Sequence, residues 1–405
     1  MEGIFVKSLE EIKEPNVSEI GGKGYSLAVL TNNGFDVPKG FVITSNAFFE
    51  YLKYNNLLDK IKNLVAEINE DNFKDKSWKI RDLILNGKIP RNIVSEIAEG
   101  LKNLNVKYVS VRSSAVSEDS LRVSFAGMHD TFLNVKAELE LVLENVKKCW
   151  ASLFSERAVI YRMKKGVLRL EGMAVIVQEM IPAEVSGVTF TLHPLNKNAL
   201  LIESARGLGD LIVSGKIIPD YFVINRKTLS ILEKRINEKT PSLSDSDVKK
   251  IAKICLKVEK IFINPQDIEW CIFDNRIWLL QSRAITTNSM IVKESLKKKI
   301  ILKGIGASPG IAQGKVKIVL NPGEVHKMKE GDILVTVMTN PLYVTAIQKA
   351  KAIITDIGGM ICHAAIVARE LGIPCVVGTK NATKVLKDNM EVVVNGTEGK
   401  VYASS

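Results

Sequence analysis

Histidine is scarce in this chain, with four in 405 residues, and aromatic residues make up only 6%. Few aromatics means few platforms on which bases could stack. The net charge of +11 comes from lysines spread through amphipathic stretches and not from a basic arm. Nucleic acid is therefore not an expected partner. A lysine-rich solvated surface, also suited to an anionic nucleotide, accounts for the charge. Nowhere does an apolar run approach the ~18 to 20 residues that a membrane span needs. The opening residues show no basic stretch followed by an apolar one, so the expectation is no secretory signal and no membrane partner. The five cysteines, Cys149, Cys255, Cys271, Cys362 and Cys375, are odd in number and form no C-x-x-C pair. That pattern speaks against a zinc knuckle or a disulfide framework and for reduced thiols in a cytoplasm.

What is present is a soluble globular composition, 46% hydrophobic and 25% charged, in a chain long enough for two or three domains. Short strand-like runs alternate with amphipathic helical stretches, which indicates an α/β (α+β) fold. Residues 1–190 read as a first block and 191–286 as a second, ending in a hairpin, "DIEWCIFDNRIWLLQSR". Residues 287–303 have no alternation and a lysine cluster, and read as a linker. Residues 304–405 form a compact unit with Gly-punctuated strands.

One of the four histidines stands in "GGMICHAAIVARELGIP". Ala364, Val367, Ala368 and Leu371 recur at helical spacing, and Gly372 and Pro374 end the helix. His363 therefore opens a helix, behind a glycine pair that permits close backbone approach. The helix N-terminus favours an anion and holds the imidazole neutral near pH 7, with a free lone pair. A phosphoryl group accepted there would rest against the helix end.

Other segments suit a phosphoryl donor. Lys23 lies in "GGKG", expected as a flexible turn before a helix, where its ammonium could reach phosphate oxygens. Arg112 follows a short apolar strand in "VSVRSSAV" and suits phosphate binding. Gln178 lies at the end of "AVIVQE", where it could read an adenine edge. In the hairpin, a three-residue turn, 274–276, would set Glu269 opposite Gln281 and on the same face as Arg283. A two-residue turn would put Glu269 on the other face. A carboxylate there, with Asp267, suits Mg²⁺ on nucleotide phosphates, and Arg283 suits charge on the transferring group. His129 is a candidate lining residue, whereas His193 and His326 read as loop and surface residues.

The string around His363 resembles the phosphohistidine signature of the phosphoenolpyruvate synthase and pyruvate phosphate dikinase superfamily. "GIGASPGIAQGKV" resembles the entry to the same swivelling domain. The resemblance covers nearly the entire chain and implies an ATP-grasp-like nucleotide-binding domain followed by a β/β/α phosphohistidine domain. Position by position, it implies ATP contacts at Lys23, Arg112, Gly127, Thr131, Gln178, Glu269, Gln281 and Arg283. It also implies a metal site of Asp267, Glu269 and Gln281, and His363, Arg112 and Arg283 as catalytic residues. Glu203 and Gly209 match the family in "ESARGLGDLIVSGKIIPD". Where the synthase branch has threonine two residues before the histidine, this chain has Ile361, so control by phosphorylating that threonine is not expected.

The implied reaction is a dikinase half-reaction: ATP and Mg²⁺ bind, His363 takes the β-phosphoryl group, and AMP leaves. Full-length synthases carry a pyruvate-binding barrel after the histidine domain, and rifampin phosphotransferases carry an antibiotic-binding domain. The expected acceptor is thus pyruvate on a separate subunit. The alternatives are another small hydroxylated acceptor, or a non-catalytic nucleotide-binding carrier. A homo-oligomer is compatible with the sequence.

Overall fold

The computed structural model describes residues 4–116, 119–120, 123–124, 130–164, 166–209, 217–237, 239–285 and 299–404. The chain forms two compact units: Met1–Pro182 with Trp278–Arg283, and Ala183–Ile277 with Ala284–Ser405. The α/β class read from the sequence is the architecture observed.

In the first unit, β1 (Val6–Ser8), β2 (Gly40–Ile43), β3 (Tyr108–Ala115), β6 (Thr131–Lys136) and β7 (Met173–Glu179) form a sheet in the order β1-β2-β7-β3-β6. A separate two-stranded ribbon pairs β4 (Asp119–Ser120) with β5 (Val123–Ser124). Helices α1 (Val17–Asn32), α2 (Ser45–Tyr54), α3 (Leu58–Ala66), α4 (Phe73–Asn86), α5 (Arg91–Leu104), α6 (Leu139–Ser152) and α7 (Glu156–Lys164) complete the unit. Their burial follows their sequence period: α5 buries Ile93, Ile97 and Leu101, one above the other on one face. Trp150 of α6 is fully buried between Phe48 and Tyr51, with ring centroids 5.6 and 4.8 Å away. Aromatic pairs at that spacing add to the burial of apolar area.

The "GGKG" segment is not a turn before a helix. It lies inside α1, which breaks at Gly21 (φ 69°, ψ 175°) and resumes with Gly22 and Lys23 buried. A Cβ on Gly21 would sit 2.1 Å from the Ser114 carbonyl oxygen, so only glycine lets the broken helix lie against β3.

In the second unit, β8 (Val185–Phe190), β9 (Ala199–Arg206), β10 (Asp220–Asn225), β11 (Ile231–Arg235) and β12 (Gln266–Phe273) run in the order β11-β10-β9-β8-β12, and β13 (Arg276–Ala284) is the sixth strand of this sheet. Helix α8 (Asp245–Phe262) is capped by Ser244, which accepts a hydrogen bond from the Asp247 N–H, and buries Val248, Ile251, Ala252, Cys255 and Val258. After β12 the chain turns through Asp274 and Asn275 into β13 (Arg276–Ala284). Both turn residues are left-handed, φ 50° and 59°. This is the two-residue connection that matches strand twist, and not the expected three-residue turn. The three-residue turn on which the expected shared face of Glu269, Gln281 and Arg283 rested is thus not the one formed.

An eight-stranded sheet holds the rest: β14 (Ile300–Lys303), β15 (Ile305–Ser308), β16 (Ile311–Ile318), β17 (Ile333–Thr336), β18 (Ala352–Thr355), β19 (Cys375–Val377), β20 (Glu391–Asn395) and β21 (Lys400–Ala403). Its order is β14-β21-β20-β16-β17-β18-β19-β15. Helices α9 (Val344–Lys349), α10 (His363–Leu371) and α11 (Ala382–Val385) accompany it. Ile300–Lys303, placed in the linker on sequence, is thus a strand paired with β21. Residues 286–298 of that expected linker lie outside the described residues. One core joins the six-stranded sheet (Val188, Phe190, Ala199, Leu201, Tyr221, Val223) to Met360, Ile361, Cys362, Ala364 and Ala368.

Candidate active site

The first unit gathers five of the expected residues around Arg112, which lies inside β3 and not after it. Buried Arg112 donates to Leu280 O (2.7 Å), Gln281 Oε1 (2.9 Å) and Gln178 Oε1 (3.3 Å). Gln178, also buried, donates through Nε2 to Pro38 O (3.0 Å), so both ends of its amide are engaged by protein. Lys23 Nζ donates to Ser113 O, the neighbour of Arg112, at 3.0 Å. Ser114 Oγ completes the contact, donating to Ile20 O and accepting from Gly24 N–H. Thr131 opens β6 directly across from Arg112 and is exposed. Guanidinium and ammonium are thereby held on neighbouring backbone positions, an arrangement suited to phosphate oxygens. Gly127 and His129 lie outside the described residues, and Arg283 is half-buried near the end of β13.

The second unit gathers the acids and the histidine. Val188 of β8 pairs with Glu203 on one side and with Glu269 on the other. Glu203, Val188 and Glu269 therefore form one cross-strand row and share a face, and Asp267, two residues from Glu269, lies on it too. Two carboxylates at i and i+2 suit a hard cation. Magnesium often takes one or two carboxylates and completes its shell with water and substrate phosphates. Among the described residues no group of three or more His, Cys, Asp or Glu could enclose a metal ion.

His363 opens α10 behind the N-cap Cys362, and Gly372 (φ 68°) closes the helix in the left-handed conformation expected of it. The buried face is Ala364, Ala365, Ala368 and Arg369, whereas Leu371 is 46% exposed. The expected stripe through Val367 and Leu371 is thus rotated, because a buried arginine takes a place on the packed side. His363 Nδ1 lies 2.8 Å from Thr339 Oγ1. Its Nε2 is buried with no hydrogen-bond partner among the described residues. Burial pushes the His363 pKa down to about 4, so the ring is neutral at pH 7.

The loop before His363 is gripped from two sides. Glu203 is 1% exposed and accepts from the Met360 and Ile361 N–H groups, at 2.5 and 3.3 Å. Arg369 donates through Nη1 to Met360 O (2.8 Å) and Ala307 O (2.6 Å), with its guanidinium carbon 5.6 Å from the Phe190 ring centroid. Burial raises the Glu203 pKa to about 7, against the lowering effect of the two N–H groups and Arg369. Sequence reasoning missed Thr339 and Arg369. The signal for the arginine was a charge inside an alanine-rich stripe, but nothing in the sequence pointed to Thr339.

His193 is buried and not a surface residue. Its Nδ1 accepts from Leu195 N–H (3.0 Å), its Nε2 lies 3.3 Å from the Tyr221 hydroxyl, and burial pushes its pKa down to about 4. His326 is exposed as expected, with Nδ1 2.9 Å from Gly323 O.

Comparison with known proteins identifies both parts of the chain by family. Residues 17–242 and 238–302 match the pyruvate phosphate dikinase AMP/ATP-binding domain. Residues 328–399 match the mobile domain of PEP-utilising enzymes. A probable phosphoenolpyruvate synthase of Methanothermobacter thermautotrophicus is 40% identical over 99% of this chain and 64% of its own length. The corresponding protein of Archaeoglobus fulgidus is 43% identical over 97% of this chain and 57% of its own. The phosphoenolpyruvate synthase of Pyrococcus furiosus is 38% identical over 98% of this chain and 58% of its own. The chain thus spans about three-fifths of the length of these relatives. With its nucleotide-binding domain matched over more than half its length and its histidine loop in the mobile domain, the chain belongs to the phosphoenolpyruvate synthase and pyruvate phosphate dikinase superfamily.

Proposed function

We propose that the chain carries out ATP-dependent, dikinase-type phosphoryl transfer through His363. The observation that carries this reading is a neutral imidazole whose Nε2 has no described partner while Nδ1 faces the Thr339 hydroxyl. With the Nδ1 proton donated to Thr339, the lone pair resides on Nε2. Attack by Nε2 on the β-phosphorus forms an N–P bond and breaks the bridge to the α-phosphate, and AMP leaves with the bridging oxygen. Transfer of the γ-phosphoryl group to water, as in the synthases, leaves phosphohistidine. Lys23 and Arg112 hold phosphate oxygens, Arg283 offsets charge on the transferring group, and Thr131 and Gln178 lie beside the arginine. When bound, magnesium would neutralise nucleotide phosphate charge, and Asp267 and Glu269 would hold it. The Gln281 Oε1, also expected as a metal ligand, takes a hydrogen bond from Arg112.

The acceptor in this reading is pyruvate, the class to which the relatives' names point. Its site is supplied by residues outside the two matched domains, on a separate subunit or a further domain. Five free, buried cysteines suit a reducing cytoplasm. Incubation with ATP labelled at the β-phosphate tests the reading. Acid-labile label should appear on the wild type and be absent from His363→Ala. Label that persists in that variant refutes it.

A further inference from the structure

We infer that Glu203 is a positioning residue that seats the phosphohistidine loop on the acid-bearing face of the six-stranded sheet. The inference rests on the functional reading above. A carboxylate with 1% exposure costs free energy to bury, and an apolar residue would fill the space at lower cost. Its two oxygens meet the N–H groups of Met360 and Ile361, 157 and 158 residues away in sequence. Those are the third and second residues before His363. Since Arg369 of α10 holds the Met360 carbonyl, both polar backbone groups of Met360 are fixed, one from the sheet and one from the histidine's own helix.

Two further observations point the same way. A Cβ on Gly359 would lie 2.4 and 2.5 Å from the Glu203 oxygens, so the loop approaches this carboxylate as closely as a glycine allows. Glu203 also stands in the cross-strand row of Glu269, on the face that carries Asp267. The residue that grips the loop and the acids suited to magnesium are thereby set in one register by the same three strands. Loss of the grip leaves nucleotide binding intact but frees the histidine from its place over that face.

The test is single-turnover labelling of the full chain with β-labelled ATP, for wild type, Glu203→Gln, Gly359→Ala and the double variant. Glutamine keeps the shape but presents an amide N–H to one of the loop N–H groups. The labelling rate at saturating ATP should fall about ten- to hundredfold, the scale of one charge-assisted hydrogen bond. The ATP concentration at half-maximal rate should stay unchanged. Gly359→Ala, which displaces an unaltered Glu203, should show the same split, and the double variant should lose little more. If Glu203→Gln does not fold, Gly359→Ala carries the test alone. Wild-type labelling rates in the variants, or a fall matched by an equal rise in the half-saturating ATP concentration, overturn the inference. Absence of label on wild-type His363 overturns the functional reading instead.

Discussion

Replacing Thr339 by valine removes the oxygen that faces His363 Nδ1 while keeping the side-chain shape. In the wild type the His363 pKa is pushed from 6.5 down to about 4, a change worth about 3 kcal/mol. At pH 5.5 an imidazole of ordinary pKa would be about 9% neutral, and one at about 4 would be about 97% neutral. The sign is that of a depressed base: the contribution to stability is present above pH 6.5 and lost as pH falls through about 4. Carbon and nitrogen shifts of isotope-labelled histidine read this directly. With four histidines in the chain, His363→Ala identifies the resonance, which matters because His193 shares the low value. The expected wild-type result is a neutral ring protonated on Nδ1 down to pH 5. In Thr339→Val the tautomers should even out, and labelling should slow about three- to tenfold, the scale of one neutral hydrogen bond. Thr339→Ser should restore both. A wild-type titration midpoint near 6.5, or a proton on Nε2, would refute the reasoning that makes Nε2 the nucleophile.

Two other substitutions test the first unit. Arg112→Lys keeps the charge but cannot span Leu280 O, Gln281 and Gln178 at once, so nucleotide affinity should fall about ten- to hundredfold by calorimetry. Gly21→Ala forces a side chain into a backbone region open to glycine and against the Ser114 carbonyl. A cost of about 3 kcal/mol should lower Tm by about 6 to 12 °C in a unit of this size, read by scanning calorimetry.

Local patterns carried part of this arrangement and long-range contacts the rest. The helix that His363 opens, its glycine end and the strand that carries Arg112 follow from periodicity and from the stereochemistry of glycine and proline, which act over a few residues. The packed face of α10 was misplaced because Arg369 reaches carbonyls at positions 307 and 360, and a period count assigns an arginine to solvent. The broken helix at Gly21 depends on the Ser114 backbone, 93 residues further along the chain. Thr339 and Glu203 meet the histidine loop through sheet topology that no short window contains. The hairpin turned on a single residue: Asp274 and Asn275 both accept left-handed φ values, and that choice fixed the shorter turn.

The row formed by Glu203, Val188 and Glu269 also limits where this chain can change in length. Strand side chains alternate, so one residue gained or lost within Val185–Phe190 would turn Val188 and its neighbours over relative to both flanking strands. The acids would then stay on their own strands but lose their common row. Insertions would be absorbed instead at exposed segments such as 196–198, between β8 and β9, where added residues leave both pairings intact.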